Sequence, residues 1–313
     1  MVTNLGVMLR RPAGAGEVYW CVEFDAKAFQ GLAKTSGKAH LGCRGTGQFR
    51  AWEEVKHGGL PMLRLSDLAE VGRKVRQDDW DDLGQASQEA AGDAIDDGRE
   101  EEAKALAQYT IPEGKALHDL FCDWLWDLFT QIAERHGEEE LHQMLRKTQG
   151  GWMMKRTWRG FLNLSVEERV YLTAEIMRAH RCGPNQDGGL SVSDEGDHYA
   201  IVMDPCGSGG RMRRGDPVDG TPSRQGEPYN FGATKQAYDW SWGQSDVPYY
   251  CVHCVMNEVL PMEWGGHPLW VTGYDPDPQK PCSWNFYKQA EDIPEEYYRR
   301  VGRQKPSAGE GKY

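Results

Sequence analysis

The chain has 313 residues, 39% of them hydrophobic and 27% charged, enough for a substantial core and room for one or two domains. Its net charge of −12 argues against nucleic acid and anionic membrane surfaces as partners, since both are held by Lys and Arg. No apolar run reaches the ~18 residues that span a bilayer. Met1 to Gly16 carries Arg10 and Arg11 with no apolar segment behind them, so no secretory signal is expected and a soluble, cytoplasmic protein is.

Eight cysteines in such a setting point to metal binding or thiol chemistry rather than disulfides. The 12 tryptophans and 13 tyrosines suit an aromatic pocket, an aromatic core or a homodimer interface equally well.

Residues 1 to 60 read as an irregular extension with a short strand at Val18–Phe24 and a Gly-rich stretch, Leu41–Gly47, around Cys43. Ser66–Gln108 is acidic and helix-prone, with a solvated run at Asp93, Asp96, Asp97 and Glu100–Glu102. A helix is predicted over Glu113–Arg135. Its Leu117, Leu120, Phe121, Trp124, Leu125, Leu128 and Ile132 recur at three- and four-residue steps and form the stripe expected to face the core. Further helices are predicted at Glu138–Gln149 and Ser165–His180, the latter opened by the Ser165/Glu168 capping box. Together these make a helical domain over 61–182.

Gly183–Gly189 marks the boundary to a second domain, 183–301, of short strands and turns. His198–Met203, Leu269–Thr272 and Ser283–Tyr287 read as strands and Cys251–Glu263 as a helix. Residues 302–313 read as a disordered tail. The fold class is therefore α+β, an N-terminal helical domain followed by a cysteine-rich mixed α/β metal-binding domain.

The chemistry concentrates in the second domain. In Tyr249-Tyr250-Cys251-Val252-His253-Cys254 two thiols are spaced so that one turn aims both at a single metal. Cys206, in Asp204-Pro205-Cys206-Gly207-Ser208-Gly209-Gly210, and Cys282, in Lys280-Pro281-Cys282-Ser283-Trp284, stand at strand–turn junctions and complete a four-cysteine set. Zinc suits this set, with an iron–sulfur cluster as the alternative. Buried small hydrophobes, a redox CxxC pair and His253 as a substitute ligand are the competing readings. The glycines of 204–210 with Arg211, Arg213 and Arg214 offer an anion site for a substrate carboxylate, or simply a turn and a solvated basic segment.

On the predicted helix His118 and Cys122 flank the apolar stripe, while Asp119 and Asp123 point away from it. They supply a general base or polar contacts if they face the cysteine domain, and are solvent-facing residues if they do not. Glu258, Glu263 and His267 are further acid–base candidates.

The motifs His118-Asp119-Leu120-x-x-Asp123-Trp124, Asp204–Arg211, Tyr249–Cys254 and Pro281-Cys282-x-Trp284 together resemble a bacterial family that joins a helical domain to a cysteine-rich C-terminal domain, over roughly residues 90 to 300. More distantly the layout is similar to the L-2-amino-thiazoline-4-carboxylate hydrolase family and to four-vinyl-reductase-type small-molecule-binding domains. That resemblance implies thiazoline-like ring opening.

The reading that follows is a zinc-dependent enzyme acting by hydrolysis or ring opening on a small, carboxylated or aromatic molecule. Cys206, Cys251, Cys254 and Cys282 hold the metal, though a catalytic zinc needs one of them to stay out of its shell. Asp123, His118, Glu258 or His253 moves protons. Arg211 holds the substrate anion, and Tyr250, Trp264 and Trp284 line the pocket. The alternatives are a binding or sensing module with a structural metal, and an iron–sulfur redox protein.

Overall fold

The computed structural model describes residues 63–68, 73–180, 189–217 and 219–313. The strand expected at Val18–Phe24, the Leu41–Gly47 stretch and most of the Gly183–Gly189 boundary lie outside them.

A two-stranded hairpin, β1 (Leu65–Leu68) and β2 (Arg73–Arg76), precedes α1 (Ser87–Asp96) and the 37-residue α2 (Glu100–His136). α2 passes straight through Pro112, although the imino acid forfeits one backbone hydrogen bond, and so begins well before the predicted Glu113. Gly137, at φ 92°, allows the chain to turn into α3 (Glu138–Thr148), a conformation that a side chain would resist. A single π-helical turn, Gln149–Met153, joins α3 to α4 (Met154–Phe161).

α5 (Val166–Arg178) opens as its sequence dictates. The Ser165 hydroxyl accepts from the Glu168 N–H while the Glu168 carboxylate accepts from the Ser165 N–H. Ser165→Ala is expected to cost about 1 kcal/mol, a cap's typical contribution, read as a lowered urea midpoint with unchanged slope.

The second half is built on an antiparallel sheet in the order β3 (Gly189–Asp194), β4 (His198–Asp204), β6 (Cys282–Tyr287), β5 (Val271–Gly273). Register pairs Ile201 with Trp284 and Met203 with Cys282. The start of β6 thus lies beside the end of β4, and that alone carries Cys282 to the Cys206 turn. Between them come the short α6 (Gly209–Arg214) and α7 (Val252–Gly265), with α8 (Glu295–Arg299) near the end.

The α+β class holds. The two expected domains, however, share one core. Trp126 of α2, Leu141 of α3, Ile201 of β4, Met256 of α7 and Phe286 of β6 belong to a single buried cluster, and the described residues lie in one compact unit. The last residues are not a loose tail either. Tyr313 donates its hydroxyl to the Tyr287 carbonyl and lies under the Arg169 guanidinium, and the Glu310 carbonyl accepts from His267. Their polar composition hid these partners.

α2 also turns the opposite way from the prediction. Lys115, Asp119, Cys122, Trp126, Thr130 and Ala133 are buried, whereas Leu117, Leu120, Phe121, Trp124, Leu125 and Leu128 are exposed. The two stripes are offset by two residues, about 200° around a helix. Apolar periodicity cannot anticipate this, because Lys115 and Asp119 enter the interior only by virtue of charged partners on other segments. No helix among the described residues is long and apolar enough to cross a membrane.

Candidate active site

The turn that follows β4 organises the site. Its glycines are there because neighbours come too close for a side chain. A Cβ on Gly207 would fall 1.7 Å from the His180 carbonyl oxygen, one on Gly209 2.6 Å from Cys251 Sγ, and one on Gly210 2.8 Å from Cys206 Cβ. The Cys-Gly-Ser-Gly-Gly run is therefore a packing device that lets the end of α5, the start of α7 and the turn converge.

Convergence sorts the thiols into two kinds. Cys206 is partly exposed and lies close to Cys282, since a Cβ on Gly210 would meet both side chains. The neighbouring Cys282 thiol, and then the Gly210 and Ser208 N–H groups, outweigh burial and favour ionisation of the Cys206 thiol. Cys282, through the neighbouring Cys206 and then through burial, is pushed up. Burial raises Cys251 to about 12 and raises Cys254 as well. Of the four thiols, Cys206 is the one whose ionisation is favoured.

Ser208 links Cys206 to α2. It follows Cys206 by two residues in the turn, and its hydroxyl lies 2.8 Å from His118 Nε2. His118 Nδ1 is 3.0 Å from Asp119 Oδ1. Burial would lower the imidazole pKa, but the hydrogen bonds and charges of Asp119 and Cys122 prevail and raise it to about 9. His118 is therefore an imidazolium at neutral pH. Beside it, Tyr250 Oη sits 3.0 Å from Cys122 Sγ, and the Tyr250 ring stacks on Trp126.

Asp119 is anchored from behind. Arg211 reaches it with both terminal nitrogens and reaches Asp216 at 2.7 Å; Lys115 Nζ is 3.0 Å from Asp119 and 2.7 Å from Asp216, and also meets Asp219. These bonds, with that of His118, keep the Asp119 carboxyl below the carboxylate range in spite of burial. A cavity of about 370 Å³ opens beside this assembly, lined by Lys115, His118, Arg178, His180 and Arg211 among others, with no carboxylate in its described wall.

The metal expectation meets a different geometry. Among the described residues, the group of three His, Cys, Asp or Glu ligand atoms lying within 4.8 Å of one another is Asp119, Asp216 and Asp219; no such group includes a cysteine. The aspartates gather around the Lys115 ammonium, and Arg211 adds a second positive charge to Asp119 and Asp216, so protein cations already stand where a metal would. For the four sulfurs to hold a zinc or an iron–sulfur cluster they would have to close up.

The other candidates are placed as follows. His253, kept neutral by burial, donates Nδ1–H to the Tyr250 carbonyl and turns Nε2 to Cys254 Sγ at 3.5 Å. Asp123 pairs with Arg224, 2.9 Å to Nε. Glu258 is fully buried and accepts from Trp242 Nε1, the Thr272 N–H and Arg300. Trp264 packs on Trp158, and Trp284 is buried in β6. The turn thus brings together Cys206, Cys251, Cys282, His118, Tyr250 and Arg211, and leaves Asp123, Glu258 and Trp264 with other partners. Ser208 was not foreseen. Its signal was a hydroxyl residue set between glycines that otherwise minimise side chains.

No family model, curated protein or solved structure matches the chain.

Proposed function

We propose that the chain is a hydrolytic or ring-opening enzyme for a small, carboxylated molecule, with the Cys206 thiolate as nucleophile and His118 as proton donor. The observation that carries this reading is Ser208, two residues after Cys206 in the same turn, whose hydroxyl lies 2.8 Å from His118 Nε2 and so sets a protonated imidazole near a thiol whose ionisation is favoured. Such a pair is the activated form of a cysteine nucleophile. A serine mechanism fits less well. His118 already carries its proton, so it cannot remove one from the Ser208 hydroxyl.

In the proposed step Cys206 Sγ bonds to an electrophilic acyl or imine carbon, and the departing or ring heteroatom takes the proton of His118 Nε2. Water then adds to the thioester-like carbon, releasing the thiolate, and its proton returns to the imidazole. The cavity has the size of a small-molecule site, and Arg178 and the His118 imidazolium in its wall suit a carboxylate, Lys115 and Arg211 being matched already by the aspartates.

The second reading is a cysteine-bound metal, zinc or an iron–sulfur cluster, supported by the meeting of Cys206 and Cys282 and by the His253–Cys254 contact.

One experiment separates the two. Anaerobically purified protein is analysed for metal and treated with limiting iodoacetamide at pH 6.5, and the labelled cysteine is located by mass spectrometry. The nucleophile reading expects substoichiometric metal and alkylation of Cys206 at least tenfold faster than of Cys251 or Cys254. One zinc per chain, or iron with sulfide and visible colour, together with Cys206 protected until the metal is stripped, would overturn it.

A further inference from the structure

α2 has two faces, and the other described residues pack against only one of them. Leu117, Leu120, Phe121, Trp124, Leu125 and Leu128 are each between 41% and 64% exposed, and Phe121 and Trp124 are stacked on each other at the surface, centroids 6.2 Å apart. Scattered exposed leucines need no explanation, but six large apolar residues contiguous over about 16 Å of one helix do.

The spacing of these residues says what fits there. Leu117, Phe121, Trp124 and Leu128 follow the alternating four- and three-residue steps of a helix–helix seam, with Leu120 and Leu125 flanking it. The set is also symmetric about the point between Cys122 and Asp123. When two copies of α2 lie antiparallel about that point, Leu117 of one meets Leu128 of the other, Leu120 meets Leu125, and Phe121 meets Trp124. Every apolar residue then faces an apolar residue, as an isologous twofold interface requires.

Area agrees. The six side chains expose on the order of 600 Å² per copy, most of the ~800 Å² that each partner contributes to a standard interface. A lipid surface is a poorer occupant, because the stripe is bordered by Glu113 and Asp127 rather than by the Lys and Arg of membrane-surface helices, and the net charge is −12.

We propose that the exposed face of α2 is the seam of a homodimer, two copies pairing antiparallel through Leu117–Leu128. The face lies outside the Cys206–Ser208–His118 linkage, so the proposal stands independently of the proposed chemistry.

The test is light scattering coupled to size exclusion, with sedimentation velocity across a concentration series, on the full chain and on Phe121→Glu/Trp124→Glu. The expected result is a wild-type particle of twice the 35.4 kDa chain mass. The double variant is expected to retain its helical circular dichroism and self-associate at least 30-fold more weakly, because aromatic anchors dominate such seams. Leu120→Gln, a milder change at an exposed site, is expected to weaken association with folding intact, and serves if the double variant does not fold. A monomeric wild-type chain overturns the proposal, whether the face is then bare or covered by the chain's own residues 1–62. So does a dimer that neither variant weakens.

Discussion

Arg211→Met is expected to destabilise the fold by about 3–5 kcal/mol, the cost of removing one partner from a buried ion pair. Arg211 is 1% exposed, and its guanidinium satisfies Asp119 and Asp216 at once. With methionine in its place Asp119 keeps Lys115 and His118, and Asp216 keeps Lys115, but both buried carboxylates lose the guanidinium that bridged them. The apparent melting temperature should fall by roughly 10 °C for a chain of this size, as scanning calorimetry would show. Arg211→Lys should recover only part of the loss, since an ammonium cannot bind two carboxylates with a planar fork.

The double variant Asp119→Asn/Arg211→Met should cost less than the two single changes combined, because it removes the stranded charge together with its partner. A stable Arg211→Met protein would instead mean that the guanidinium is spare, free to hold a substrate anion as the sequence reading expected.

The second large effect is one of pH. His118 has a folded pKa of about 9, above its ordinary 6.5, so its contribution to stability is complete below pH 6.5 and disappears as pH rises through about 9. The shift corresponds to something on the order of 3 kcal/mol. Cys206 works in the opposite sense. Its depressed thiol contributes fully above the ordinary thiol range and loses that contribution as pH falls through its folded value.

A pH profile of wild-type stability alone would therefore mix two opposed slopes. The difference between wild type and His118→Asn isolates one of them. That difference is expected to be largest at pH 6 to 6.5 and to shrink steadily towards pH 9.5, measured as urea unfolding free energies. A constant difference would mean that His118 binds its proton no more tightly in the folded state than in the unfolded one, and would return it to the role of a base. The same proton should govern chemistry. Alkylation of Cys206 should stay rapid well below pH 8, whereas Cys251, raised to about 12, should remain inert throughout.

Local sequence determined a great deal of this molecule. The α5 capping box, the strand of His198–Met203, the helix that begins at the Cys251–Cys254 motif and the importance of the Cys206 turn all depend on neighbours within a few positions. Side-chain periodicity and turn chemistry report such neighbours directly. The choice of His118, Cys206 and Tyr250 as residues of one neighbourhood was legible for the same reason, since each lies in a short motif rich in reactive groups.

What the sequence alone could not decide was which face of α2 turns inward, and what the cysteines are for. Both depend on partners nearly a hundred positions away. Lys115 and Asp119 are buried because Arg211, Asp216 and Asp219 neutralise them, and a charge enters a low-dielectric interior only with such company. Cys206 differs from Cys251 because β4–β6 register delivers the Cys282 thiol to it and the turn aims two N–H groups at it, while Cys251 has only burial. Four identical side chains came to differ in how readily they ionise through neighbours that only the tertiary structure could bring.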